Sequence, residues 1–269
     1  MALPEEKSIS IAPQFVIILA FFILTANWWY SLFFNIIFIG YDIFEEMRYS
    51  IVFFAIFLRI ISYPLRLIGN SLSKKEKIAD EEQELISQIK DDVTRKRQQQ
   101  LWLKKHKNVL LFVWFNMGFS ILNTLMVGRI FLENFTSDRT LPMLWSWVPR
   151  PDFPVQTLSW LPIVGMTDLS VINQKLNFIS AIGAGVVGIA EVVIRGKTSK
   201  REIWMYLLAY PLGAYFITNQ VPSGFEFTLI CIEVLTLALI FIEKAAGSSL
   251  KRLKEAAKIK MPVLDSTKR

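Results

Sequence analysis

The sequence predicts an all-α, polytopic membrane protein. Apolar residues make up 53% of its 269 positions, and mean hydropathy is +0.39. They gather in six blocks, 12–39, 49–69, 108–132, 175–194, 203–220 and 225–243. Each is close to the ~20 residues a helix needs to cross hydrocarbon. Lys and Arg concentrate between alternate blocks, as they do when cationic loops stay cytoplasmic.

The chain opens with "MALPEEKSIS". Glu5 and Glu6 are wrong for the cationic start of a secretory signal, so the first block is expected to be retained. It is either one span over 12–39 or a span over 12–27 followed by a segment on the outer surface. Trp28 and Trp29 mark an interface, where indoles settle. The second block carries Arg59 at its middle, where a guanidinium costs ~2.5–3.5 kcal/mol on insertion scales. Pro64 offers no N–H to the Ile60 carbonyl and is expected to bend or loosen that helix.

Residues 71–107 hold ten Lys and Arg and neither Gly nor Pro. The flanking spans enter and leave on one side, so an antiparallel helical hairpin is expected. Its apolar stripe is Ile78, Leu85 and Ile89, its turn is Asp91-Asp92, and Asp92 is the expected N-cap of the second arm. His106, the sole histidine, is flanked by lysines and read as solvated. Residues 195–202 and the tail 244–269, with eight Lys and Arg against Glu255 and Asp265, share the cytoplasmic side. Segments 40–48, 133–172 and 219–224 then lie outside, and the C-terminus is cytoplasmic. With no organelle transit peptide visible, a plasma (inner) membrane is expected before a thylakoid or mitochondrial one.

In the third block Asn116, Ser120 and Asn123 share one helical face, with position 115 facing lipid. Such a stripe is either interhelical glue or the lining of a wet cavity. Glu226 and Glu233, seven apart, share a face of the sixth block, and intramembrane carboxylates are functional candidates. Glu233 and Arg59 fall at comparable depths from the outer ends of their spans, which leaves a pair or a shared pocket open. Cys231 stands alone, so neither a disulfide nor a Cys/His metal site is expected. The sequence offers no phosphate loop and no nucleophile–base pair. An enzyme is not expected, nor a cofactor or metal.

Three features then occur in a fixed order. Arg59, Tyr63, Pro64 and Leu65 form Arg-x-x-x-Tyr-Pro-Leu; a charged hairpin turns at Asp91-Asp92; and Pro222, Ser223 and Gly224 open the last span. In order and spacing, from about residue 28 to 243, the chain resembles the YidC family of membrane protein insertases, with its mitochondrial and chloroplast relatives. It departs in having Asn108-Val109 where that family often has Asn-Pro, and Glu226 just after Pro-Ser-Gly.

The resemblance implies five core helices around a hydrophilic groove, preceded by an N-terminal span. The expected parts are a tail and span over 1–27, an outer interfacial amphipathic helix over 28–47, and a first core helix over 48–70 with Arg59 as the groove arginine. A cytoplasmic coiled-coil-like hairpin over 71–107, a second core helix over 108–132 and an outer Trp/Pro-rich loop over 133–174 follow. The last three core helices cover 175–243 and a basic tail 244–269. The client-binding groove would be lined by Arg59, Asn116, Ser120, Asn123 and Glu233, with Tyr63, Pro64, Pro222, Ser223 and Gly224 as structural motif. The implied partners are nascent membrane proteins, the ribosome through the basic tail, anionic lipid and the Sec translocon, but no DNA. The residues alone leave two other functions open: a small-solute or ion transporter using Arg59 and Glu233, and a membrane-anchored scaffold.

Overall fold

A computed structural model describes residues 12–133, 135–162, 164–195 and 204–260. The N-terminal tail 1–11, the connection with Lys197, Lys200 and Arg201, and tail residues 261–269 lie outside the described residues. The chain forms two compact units that divide between residues 156 and 157. Among the described residues, four helices are long and apolar enough to cross a membrane: Pro13–Phe44, Met47–Ser73, Asp92–Leu132 and Ser223–Ala245. Gln174–Ala190 and Leu207–Phe216 are shorter apolar helices.

The first unit is built on α1 (Ala12–Phe44), α2 (Met47–Ser87) and α3 (Asp92–Leu132), each packed on the other two. α1 is continuous through residues 27–28, so the change of element expected there is not a break in the helix. Neither Gly nor Pro stands between Gln14 and Ile39 to interrupt it. Tyr30, Phe33, Phe34, Ile37 and Phe38 are buried, because this stretch packs inside the unit. The helix stops at Glu45, whose φ of 58° is the left-handed conformation that ends helices. Glu46 is extended, and α2 starts at once. Gly40 makes the tight return fit: a Cβ there would lie 3.1 Å from the Ser50 Cα. The Ser50 hydroxyl donates to the Ile37 carbonyl across the two helices. α1 meets α3 through Phe15 and Trp114 and through the Phe22 ring, which lies against Gly118.

α2 and α3 are each 41 residues long, about twice what hydrocarbon requires. The charged hairpin is therefore the continuation of these two helices. α2 is one helix with Pro64 inside it. The short helix α4 (Ser137–Met143) follows α3.

The second unit begins with an antiparallel pair, β1 (Leu158–Leu161) and β2 (Gly165–Asp168), in a segment expected to be loop. Gly165 closes its turn at φ 86°, which glycine adopts without strain. Then come α5 (Gln174–Arg195), a π-helical turn over Met205–Ala209, α6 (Tyr210–Thr218) and α7 (Ser223–Lys260). The π turn has a local cause. Pro211 has no N–H for the Leu207 carbonyl, and the Tyr210 N–H reaches back to Met205. α5 packs on both α6 and α7. α7 runs on to Lys260, so the tail from 244 to 260 continues the last span as a helix.

Candidate functional site

The hairpin seam differs from the stripe read in the sequence. Ile78 and Leu85 are exposed, and the buried positions are Ala79, Trp102, His106 and Val109. The Trp102 indole N–H donates to the Ala79 carbonyl at 2.9 Å. His106 is only 6% exposed, not solvated, and its Nε2 lies 2.9 Å from Glu82 Oε2. Lys105 holds the other Glu82 oxygen at 2.5 Å. The Lys105 and His106 hydrogen bonds hold the Glu82 carboxyl below the ordinary carboxylate range. The seam is Trp, His and Glu rather than Ile and Leu because the two arms face each other along residues 79, 82, 102 and 106. A stripe read on one arm cannot reveal that choice. At the turn, Asp91 rather than Asp92 is the N-cap. Its backbone is extended and its side chain accepts from the Thr94 N–H at 2.8 Å, while Asp92 already lies in the first helical turn.

The hairpin sets the register of the membrane-embedded polar groups. Trp102 meets Ala79, and Phe112 lies beside Gly69, a ten-residue step along each helix in opposite senses. A further step of about ten places Arg59 level with Leu122 and Asn123. Ser120 and Asn116 follow within two turns toward the hairpin. Arg59 is half-buried and makes at least one polar, ring or electrostatic interaction. Asn116 and Ser120 are exposed and have no side-chain hydrogen bond to another described residue. Asn123 is half-buried, with its Oδ1 unsatisfied among the described residues. Phe115 is half-buried, with its ring on Phe21 and Phe22 of α1.

Interhelical polar glue looks different in this protein. In the second unit Asn177 and Thr218 are both buried. The Asn177 amide donates to the Tyr215 carbonyl at 3.2 Å, and its oxygen accepts from the Thr218 hydroxyl. In the first unit Asn35 is fully buried, donates to the Met143 carbonyl at 3.1 Å and accepts from the Trp145 N–H at 2.7 Å. Glu133 takes the Tyr30 hydroxyl and Arg129 Nε, both at 2.6 Å. Burial pushes its carboxyl up, but those two bonds together with the Arg129 and Arg139 charges outweigh it and leave it below the usual range. These clusters were not picked out from the sequence, because single Asn, Tyr and Glu residues carry no helical period.

Glu233 and Arg59 belong to different units. Glu233 is half-buried, and its carboxylate lies over Gly183 of α5, where an added Cβ would overlap it. Glu226 shares its helix but is fully buried, with neither oxygen hydrogen-bonded to a described residue. Tyr63 and Pro64 are exposed on α2. Pro-Ser-Gly has a definite structural role. The Ser223 N–H donates to the Val171 carbonyl, the Ser223 hydroxyl to the Asp168 carbonyl and the Gly224 N–H to the Leu169 carbonyl, each at 2.8 Å. These bonds satisfy helix-start donors and tie α7 to the segment after β2. Neither a protein-family model nor a curated protein matches this chain.

Proposed function

We propose that the chain is a membrane protein insertase that receives nascent membrane proteins in a hydrophilic groove and releases their helices into lipid. One observation carries the reading: along α3, exposed Asn116 and Ser120 lead from the hairpin end to the level of Arg59, without the buried bonding of Asn177 and Asn35. Such a surface offers polar ligands and a cation to an incoming polar flank and lets water accompany it, which shortens the dry path. The exposed Ile78, Leu85, Val93 and Leu101 give the hairpin apolar points with which to touch a client. A groove of five core helices, and the ribosome, anionic lipid and Sec translocon as partners at a cytoplasmic C-terminus, belong to the same proposal.

The test uses the full chain in proteoliposomes with two short single-span clients, one with an acidic translocated flank and one uncharged. At ~10 Å and an effective dielectric near 20, one charge pair is worth about 1.7 kcal/mol, or roughly tenfold. Arg59→Ala should slow the acidic client about tenfold and barely affect the uncharged one, while Arg59→Lys keeps both. Asn116→Cys and Ser120→Cys in a Cys231→Ser background should react with a water-soluble maleimide, and Ile60→Cys, 66% exposed beside Arg59, should not. No insertion above empty liposomes, with flux in a small-solute panel, would replace the insertase by a transporter. Protection of both 116 and 120 would remove the groove.

A further inference from the structure

The β1–β2 pair has two unlike faces. Ser159, Leu161 and Thr167 are buried on one. Leu158, Trp160 and Met166 stand on the other, each at least half exposed, with Trp160 paired across the strands to Met166. An isolated two-stranded hairpin is marginal in water, and an apolar outward face on a two-stranded pair invites a partner. Exposed Val171 and Ile172 extend the apolar surface just past β2.

The level of this face relative to the bilayer is fixed by hydrogen bonds. The carbonyls of Asp168, Leu169 and Val171 receive Ser223 and Gly224, the first residues of Ser223–Ala245, a segment long and apolar enough to cross a membrane. The end of β2 is thus held at the height where α7 enters hydrocarbon. α5 starts at the same end, six residues after Asp168, with exposed Lys175 in its first turn. Indole rings favour the water–lipid boundary, where the ring meets acyl chains and the N–H meets water or head groups. An ammonium at that height complements lipid phosphates.

We propose that the Leu158, Trp160 and Met166 face docks on the lipid interface of the bilayer at the end where α7 begins, anchoring the second unit there. This goes beyond the insertase reading and stands independently of it.

Leu158→Cys and Met166→Cys, each in the Cys231→Ser full chain, would be labelled with an environment-sensitive fluorophore and reconstituted in phosphatidylcholine nanodiscs. Lipids carrying a nitroxide near the glycerol should quench both labels at least threefold more than aqueous iodide does. A label at Glu84→Cys, on an exposed hairpin position beyond the span, should show the reverse order. Iodide quenching at 158 and 166 equal to that at 84 would overturn the proposal by placing the face in water. Protection from both quenchers would also overturn it, because a second copy or another part of the chain then covers the face. With two label sites, the result does not hang on how either substitution affects folding.

Discussion

Trp102 is the test of whether the hairpin is a rigid post or a separately opening element. Its side chain is 8% exposed and fills the narrow seam against Ala79, with its N–H on the Ala79 carbonyl. Truncating a buried Trp costs ~3–5 kcal/mol in a core. The seam is one residue deep and flanked by exposed Ile78 and Leu101, so it can partly collapse, and the lower end, ~3 kcal/mol, applies. At ~1.4 kcal/mol per decade that is roughly a hundredfold. Trp102→Phe keeps most of the apolar surface and loses only the hydrogen bond, worth ~1 kcal/mol or about fivefold. Hydrogen exchange on the full chain in nanodiscs reads both changes. Amides of 79–87 and 94–106 should exchange about a hundredfold faster in Trp102→Ala and about fivefold faster in Trp102→Phe. Amides in the spans, around 52–62 and 119–130, should be unchanged, since local opening need not involve the membrane-embedded core. Equal acceleration in the spans would refute the local-opening argument. Unchanged exchange in the hairpin would show that Trp102 does not hold it.

Two further outcomes follow from named contacts. Glu82 has a folded-state carboxyl below its ordinary value of 4.5 because Lys105 and His106 donate to it, so its stabilisation of the hairpin is fully present above that value and lost as pH falls through the depressed one. The protection of hairpin amides, taken relative to the intrinsic exchange rate at each pH, should therefore fall below about pH 4.5 in the wild type. Glu82→Gln should be less protected at neutral pH and lack that acid step, and an identical step in Glu82→Gln would assign it to another group. Gly118→Val would place its Cβ 2.5 Å from Phe22 Cε2, an overpacking that costs ~1–3 kcal/mol. Thermal unfolding in detergent should move down by several degrees, and Phe22→Leu should restore part of the loss. An unchanged midpoint would mean that α1 is not seated on α3 as described.

Hydropathy and helix propensity were enough to read a mostly helical chain with helices long and apolar enough to cross a membrane. Both act locally, so the long apolar blocks, the all-helical spans and the charged hairpin arms could be read without knowing what touches what. Four of the six apolar blocks lie on helices long enough to cross a membrane, and the two shorter ones are helical as well. The polar face of α3 was legible for the same reason: Asn116, Ser120 and Asn123 follow the helical period. What periodicity could not supply is a partner. It could not show that α1 passes residue 28 unbroken, because the buried Phe33 and Phe38 look as apolar as lipid-facing residues do. It could not choose between Ile78 and Ala79 as the hairpin seam, or place His106 against Glu82, because both depend on how the opposite arm is rotated. It set Glu226 and Glu233 on one face, yet packing left the first sealed at the start of α7 and the second over Gly183, where a missing side chain makes room. Membrane insertion selects apolar residues almost regardless of which neighbour they meet. Only close packing and the need to satisfy each buried donor and acceptor decide which of them meet protein and which meet lipid.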